Sequence, residues 1–190
     1  MNIHTTSRTE IIDIIKAWFA ISIAFAIVRT GFSFSAAFLM SIALAAVTVG
    51  VGFLAHELAH KIVAQRYGCR AEFRADDRML LLAVGFAVVF RLIFAAPGAV
   101  VIDGVVTRKE NGFISVVGSW MNIIIAALFL GLTFVLPSLN VVWTYGHQVN
   151  AWLALFNMIP FWILDGKKVF AWNKTVWVGT VLAAFGLLFV

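Results

Sequence analysis

The feature that most constrains this chain is a run of twenty-four residues, Phe32 to Ala55, without a charged side chain. At a rise of about 1.5 Å per residue, about 20 apolar residues cross the hydrocarbon core of a bilayer. A second uncharged run, of twenty-three residues, extends from Ile114 to Leu136. Of the 190 residues, 63% are hydrophobic and 12% are charged. Soluble domains are about half apolar and one quarter charged, so the composition excludes a soluble enzyme, a disordered tail and a nucleic-acid-binding domain.

These apolar runs predict a membrane all-α bundle of about five transmembrane helices, built as a single integral-membrane domain over residues 1–190. Between the second and third spans, the region 70–113 is expected to form a small membrane-associated β or re-entrant structure. The predicted spans are residues 11–28, 32–66, 114–136, 149–165 and 175–190.

Residues 79–96 are apolar except for Arg91 and are long enough to cross a membrane. Charge bias argues against a crossing, because Lys and Arg concentrate in cytoplasmic loops. With a cytoplasmic N-terminus and no crossing at 79–96, the connection 138–148, which has no Lys or Arg, lies outside. We therefore expect a re-entrant loop, a membrane-dipping hairpin or an interfacial helix at 79–96. The basic loops that then lie inside are 61–78, 97–113 and 166–174.

Turn signals flank the next stretch, at Pro97-Gly98 and at Asn111-Gly112. They indicate a β-hairpin that pairs Ala99–Val106 with Gly112–Val117.

The second span leads directly into His56-Glu57-Leu58-Ala59-His60, which we call the zinc motif. On a continuing helix, residues i and i+4 share a face, so both imidazoles can reach one zinc ion. Glu57 lies beside them and can take a proton from a zinc-bound water. A chance cluster at a helix end is the alternative, but ionisable residues next to apolar helix usually mark a site. The pattern predicts Zn²⁺ as the cofactor.

A catalytic zinc site needs a third protein ligand and an open position. Asp165 ends the fourth predicted span, on the same side of the membrane as the zinc motif if 79–96 does not cross. We predict Asp165 as the third ligand; the alternative is a carboxylate that neighbours Lys167 and Lys168 at the membrane interface. Other candidates lie in basic loops, the N-terminus or the outer connection: Cys69, Glu72, Asp76, Asp77, Asp103, Glu110, His4 and His147.

Two asparagines are weaker candidates for contact with a substrate. Asn157 lies near Pro160, which removes a backbone hydrogen bond and opens a polar place in the fourth span. Asn122 is the strongly polar side chain inside the third span. Either asparagine could instead form an ordinary hydrogen bond between helices.

The zinc motif together with Asn157-x-x-Pro160-x-x-x-x-Asp165-Gly166 resembles the site-2 protease family of intramembrane zinc metalloproteases. The resemblance covers about residues 49–68, 94–122 and 157–168, and the stretch 95–100 is similar to archaeal-type members. It implies a membrane-associated β-sheet and re-entrant loop in the 70–117 region. It also implies zinc ligands at His56, His60 and Asp165, a general base at Glu57, and Asn157 near the catalytic centre.

The chain departs from the family pattern in two places. Many members have Gly-Pro-x-x-Asn in the third span, where this chain has Gly118-Ser119-x-x-Asn122. The motifs also leave no room between them for a PDZ domain.

The resulting hypothesis is regulated intramembrane proteolysis by a multi-pass cell-membrane enzyme whose N-terminus and active site face the cytoplasm. The expected partners are transmembrane protein or peptide substrates and the lipid bilayer, with no nucleic acid; the oligomeric state is open. Two alternatives are a non-proteolytic zinc-binding membrane protein and a structural subunit whose zinc motif is accidental.

Overall fold

The computed structural model describes residues 6–93 and 98–190 of the chain. Within these residues the chain is mostly helical, with eight α-helices and two short strands. A π-helical turn joins α2 to α3, and a 3-10 turn precedes α6. The elements are α1 (Arg8–Thr30), α2 (Ala36–Ala45), the π turn (Ala46–Gly50), α3 (Val51–Arg66), β1 (Arg70–Ala75), α4 (Asp77–Phe90), β2 (Gly98–Asp103), α5 (Arg108–Val135), the 3-10 turn (Pro137–Leu139), α6 (Asn140–Asn157), α7 (Asp165–Trp172) and α8 (Lys174–Leu187).

Three helical segments of the described chain are long and apolar enough to cross a membrane. They are α1, the continuous segment Ala36–Arg66 that contains α2 and α3, and α5. The shorter helix α8 is also apolar. The chain therefore has the helices of a membrane protein, and the expectation of about five spans stays a prediction for α6 and α8.

The π turn lies one helical turn before the zinc motif. A side chain that inserts into the helical hydrogen-bond ladder is a common cause of such irregularities. Here the Trp18 indole of α1 donates to the Ala46 carbonyl oxygen at 3.0 Å. From α6, Asn150 Nδ2 lies 3.5 Å from the Thr48 carbonyl oxygen. Side chains of the neighbouring helices α1 and α6 thus donate hydrogen bonds to carbonyl groups of the π turn.

The two strands form an antiparallel pair in which Arg70 lies opposite Asp103 and Ala75 opposite Gly98. This sheet confirms the small β element expected between the second and third spans. The predicted hairpin is wrong, because β2 pairs with β1 and the segment Gly112–Val117 belongs to α5.

A capping box explains that difference. The Thr107 hydroxyl accepts from the Glu110 backbone N–H, and the Glu110 carboxylate accepts from the Thr107 backbone N–H. The box satisfies donors at the start of α5 and begins the helix before Asn111-Gly112, which therefore forms no turn.

Residues 77–90 of the ambiguous segment form α4, capped by the Asp76 side chain. Fourteen helical residues extend about 21 Å, less than the roughly 30 Å hydrocarbon core of a bilayer. The length of α4 favours a segment that does not cross, and the choice between re-entrant and interfacial placement stays a prediction. Residues 94–97, which include part of the stretch similar to archaeal-type members, lie outside the described residues.

The fourth predicted span, 149–165, differs in the structure. Helix α6 starts at Asn140 and ends at Asn157, and Asp165 is the first residue of α7. Proline disfavours helical backbone at the residue before it, and Pro160 accordingly lies in a non-helical connection. Asp165 therefore opens a short helix and does not close a long one.

The earlier part of α6 falls where the sequence predicted an outer connection. His147 lies inside this helix and is buried, with its Nδ1 3.0 Å from the Ala126 carbonyl oxygen of α5. The expectation of a loop residue at His147 is wrong.

A core of buried side chains joins α1, α3, β1 and α4 on one side of the zinc motif. Phe53 of α3 packs edge-to-face against Phe73 of β1, with ring centroids 5.8 Å apart. Ala17, Ile21 and Leu80 belong to the same cluster. Helix α5 packs against α3 from another side, so the zinc motif lies between the core and α5.

Candidate metal centre and active site

Helix α3 presents His56 and His60 on one buried face. Their side chains are 6% and 9% exposed, and their Nε2 atoms are 2.9 Å apart. The spacing of four residues along a regular helix produces this juxtaposition, as the sequence predicted.

Asp165 reaches the same point from the start of α7. Its Oδ2 lies 3.3 Å from His56 Nε2 and 3.0 Å from His60 Nε2. The other carboxylate oxygen, Oδ1, lies 3.4 Å from the Lys168 ammonium. The carboxylate thus offers one oxygen to the two imidazoles and the other to a lysine.

The three donor atoms form a triangle with edges of 2.9, 3.0 and 3.3 Å. Tetrahedral ligand atoms at about 2.0–2.1 Å from zinc lie roughly 3.3–3.4 Å from each other. The triangle therefore has nearly the size that one tetrahedral zinc ion imposes. Two imidazoles and one carboxylate also leave a fourth position for water or substrate, as catalytic zinc sites do.

The hydrogen bonds of the two Nδ1 atoms determine whether each Nε2 presents a lone pair or a proton to the donor triangle. His56 Nδ1 lies 2.7 Å from Asn122 Oδ1, and His60 Nδ1 lies 2.6 Å from the Ile114 carbonyl oxygen. Because both partners are acceptors, each Nδ1 carries a proton and each Nε2 presents a lone pair. Two lone pairs and a carboxylate that converge in a buried place fit a cation and would repel each other without one.

Asn122 lies behind His56, on the side away from the donor triangle. Its Nδ2 donates to the Gly52 carbonyl oxygen at 3.2 Å and to Asn150 Oδ1 at 3.0 Å. These two acceptors orient the amide so that its oxygen faces the His56 ring. Substrate contact was the role expected from the sequence, whereas the structure shows Asn122 in contact with a predicted ligand.

Gly118 lets α5 approach the two imidazoles closely. A Cβ atom there would lie 2.5 Å from His60 Cε1 and Nε2, and 2.7 Å from His56 Cε1. Any larger residue would have to displace the histidine rings.

Glu57 lies half-buried next to the two histidines on α3. The backbone N–H of Val100 on β2 lies near its carboxylate. The sheet therefore lies beside the predicted base.

A cavity of about 700 Å³ extends from the zinc motif between α1, α4, α6 and the connection that precedes α7. Its lining is mostly apolar, with His56, Glu57, Asn122 and Asn157 among the polar residues. Asn157 donates through Nδ2 to the Leu153 carbonyl oxygen at 3.0 Å, within its own helix. Asn157 thus shares a cavity with the metal centre, and its contact with a substrate stays a prediction.

Comparison with known proteins gives one informative relative. A protein named "Putative zinc metalloprotease" from Methanocaldococcus jannaschii is 36% identical over 192 residues, which cover 99% of this chain and 97% of that protein. This chain belongs to the same family. No family model and no solved structure matches the chain.

The relative is named a zinc metalloprotease, and the three donor residues of this chain are types that bind zinc. The other acidic, histidine and cysteine candidates do not join His56, His60 and Asp165 in the described group of donor atoms. Cys69 is buried beside β1 and α5, Glu72 binds Arg74 on β1, and His4 lies outside the described residues.

Asn150 is the residue of this site that the sequence analysis missed. It is fully buried on α6 and reaches His56 through Asn122. A signal existed, because a polar amide in an apolar helix of a membrane protein needs a partner. The stretch around it was divided between an outer connection and a span, so no helix face was assigned to it.

Proposed function

We propose that this chain is an intramembrane zinc metalloprotease of the site-2 protease type. It hydrolyses peptide bonds in or near the transmembrane segments of membrane-anchored proteins, in the manner of regulated intramembrane proteolysis. The observation that carries the proposal is that two corners of the donor triangle lie on a candidate membrane-spanning helix. His56 and His60 belong to the segment Ala36–Arg66, which is long and apolar enough to cross a membrane, and Glu57 adjoins them.

His56 and His60, through Nε2, and Asp165, through Oδ2, would hold the metal. Bound zinc supplies a Lewis acid that polarises a peptide carbonyl and lowers the pKa of water toward about 7. The Glu57 carboxylate accepts a proton from the attacking water and delivers it to the nitrogen of the leaving amine. The Val100 N–H lies near that carboxylate and would stabilise its charge.

The cavity supports an apolar polypeptide as the substrate. Its size lies within the range of about 300–1,000 Å³ typical of ligand sites, and its apolar lining suits membrane-derived side chains. A helical substrate hides its carbonyl groups in its own hydrogen bonds and must unwind before hydrolysis.

The strand β2 offers a way to hold an unwound substrate. Within the described residues it pairs with β1 along one edge, and the backbone N–H of Val100 lies near Glu57. A substrate strand added along the other edge would bring its backbone close to this carboxylate. Strand addition next to the base is therefore the binding mode that we propose.

The test uses the purified full chain in detergent, with a panel of single-span helices as substrates. We expect Glu57→Gln to retain stoichiometric zinc and to lose cleavage, because the amide cannot accept the proton. A zinc chelator should also abolish cleavage by the wild-type protein, and added zinc should restore it.

The matched control is Asp77→Asn, which also removes one acidic group. Asp77 lies on the exposed surface of α4 and pairs with Lys16, and exposed ion pairs contribute little. Full cleavage by Glu57→Gln would eliminate Glu57 as the base. Stoichiometric zinc without cleavage of any substrate by the wild type would favour a non-proteolytic zinc protein.

A further inference from the structure

We propose that Asn150 is a positioning residue of the metal centre: through Asn122 it holds His56 with the Nε2 lone pair directed at the metal. The inference rests on the metal binding in the proposed function and does not require peptide cleavage. It gives a specific task to a buried amide that is itself part of neither the donor triangle nor the cavity lining.

The orientation of Asn150 is determined within its own helix. Its Nδ2 donates to the Gly146 carbonyl oxygen at 2.8 Å, and Thr48 of the π turn offers a second acceptor at 3.5 Å. Because the nitrogen faces these carbonyl groups, Oδ1 faces α5. There it accepts from Asn122 Nδ2 at 3.0 Å.

The orientation of Asn122 then follows from that of Asn150. Both hydrogens of Asn122 Nδ2 have acceptors, one on Asn150 and one at the Gly52 carbonyl oxygen. Asn122 Oδ1 is left to face His56 Nδ1 at 2.7 Å, which requires a proton on that nitrogen.

Loss of the acceptor at position 150 removes one of the two constraints on the Asn122 amide. A flipped amide would present Nδ2 to the His56 ring and favour the tautomer with its proton on Nε2. That tautomer cannot bind a metal through Nε2. Partners behind a ligand typically change metal affinity by about 10–100-fold.

The backbone of α3 leaves space for this arrangement. A Cβ atom on Gly52 would lie 1.9 Å from Asn150 Oδ1, so a glycine is needed one turn before His56. The ordinary alternative is that Asn150 acts as a hydrogen-bonded contact between α5 and α6, with no influence on the metal.

The experiment compares Asn150→Leu with Asn150→Asp. Leucine keeps the number and branching of the side-chain heavy atoms and removes the acceptor. The aspartate variant keeps an acceptor for Asn122, and burial favours its protonated form, which can still donate to Gly146. Zinc affinity is measured on the purified full chain in detergent by competition with a chelator, and Co²⁺ spectra report ligand geometry.

His147→Leu is the matched control. Like Asn150, His147 is buried on α6 and contacts α5, but its partner is the Ala126 carbonyl oxygen. We expect Asn150→Leu to weaken zinc binding about tenfold or more and to alter the Co²⁺ spectrum. Asn150→Asp and His147→Leu should stay near wild type.

Unchanged affinity in Asn150→Leu would overturn the proposal, as would equal losses in Asn150→Leu and His147→Leu. If Asn150→Leu does not fold, Asn150→Ala removes the amide without steric demand and is judged by the same criteria. A wild-type protein that binds zinc but cleaves nothing refutes the proteolytic function and leaves this test intact. A wild-type protein that binds no zinc refutes both.

Discussion

At the scale of single residues, Gly118 shows how closely the bundle encloses the metal centre. The glycine brings the α5 backbone against both histidine rings, and Ile114 one turn earlier accepts from His60. The same helix therefore sets the position and the protonation of the ligands. A small change on α5 should therefore alter the affinity for the metal.

We predict that Gly118→Ala weakens zinc binding even though alanine is the better helix former. Its Cβ would lie 2.5 Å from His60 Nε2, so the imidazole must move away from the donor triangle. The loss of zinc affinity should equal or exceed the roughly 10–100-fold effect typical of a lost outer partner. Chelator competition on the purified protein measures it.

The control on the same helix is Gly131→Ala. Nothing lies within 4 Å of a Cβ at Gly131, so alanine there should add about 1 kcal/mol of helix stability and leave zinc affinity unchanged. Wild-type zinc affinity in Gly118→Ala would show that the rings are not held against α5.

At the residue level, the sequence predicted which donor side chains meet, and their roles as metal ligands and general base stay predictions. The four-residue spacing placed His56 and His60 on one face, and the position of Asp165 on the side of the zinc motif indicated a third donor. The structure brings these three together. The hydrogen-bond partners that support these ligands were not predicted. The contacts of Asn122 and Asn150 with α3 depend on how helices distant in sequence pack together.

At the scale of elements, one buried ion pair joins α1, α3 and β1. Lys61 Nζ, next to the zinc motif, lies 2.6 and 2.8 Å from the two oxygens of Glu10 on α1. Glu10 is fully buried, and its Oε1 also accepts from the Phe73 backbone N–H of β1 at 3.0 Å. The pair thus ties the metal-bearing helix to the sheet that lies beside Glu57.

We predict that Lys61→Met destabilises the protein by about 3–5 kcal/mol, because Glu10 would remain as an unpaired buried charge. The double variant Glu10→Gln/Lys61→Met should recover most of that loss, since glutamine can still accept from Phe73. Unfolding by denaturant in detergent, followed by circular dichroism, measures both changes. A single variant as stable as the wild type would mean that water reaches Glu10.

Elements were predicted less well than residues, for identifiable reasons. The β1–β2 pair connects strands separated by α4, and no local signal specifies such a partner. The start of α5 was predicted wrongly because Asn111-Gly112 is a typical turn sequence. The capping box of Thr107 and Glu110 begins the helix before that dipeptide. Pro160 was expected to disturb a span, and the structure shows a full break between α6 and α7.

At the scale of the whole molecule, orientation in the membrane is the proposal that follows from charge. Basic residues flank the zinc motif and α7, and residues 138–148, most of which form the start of α6, include no Lys or Arg. By the positive-inside rule, we propose that the metal centre faces the cytoplasm.

We predict that a cysteine at Lys109 reacts with a membrane-impermeant maleimide only after cells are permeabilised, whereas a cysteine at Ser138 reacts in intact cells. Both positions are exposed, and the native Cys69 is buried and can be replaced by alanine as the background. Reaction of the Lys109→Cys protein in intact cells would reverse the orientation.

Intramembrane proteolysis is tested most directly by mapping the cut site in a single-span substrate by mass spectrometry, with the protein in lipid vesicles. We predict chelator-sensitive cuts in or near the apolar segment, and none from Glu57→Gln vesicles that retain zinc. Cuts confined to soluble regions far from the membrane, or equal cleavage by Glu57→Gln, would contradict it.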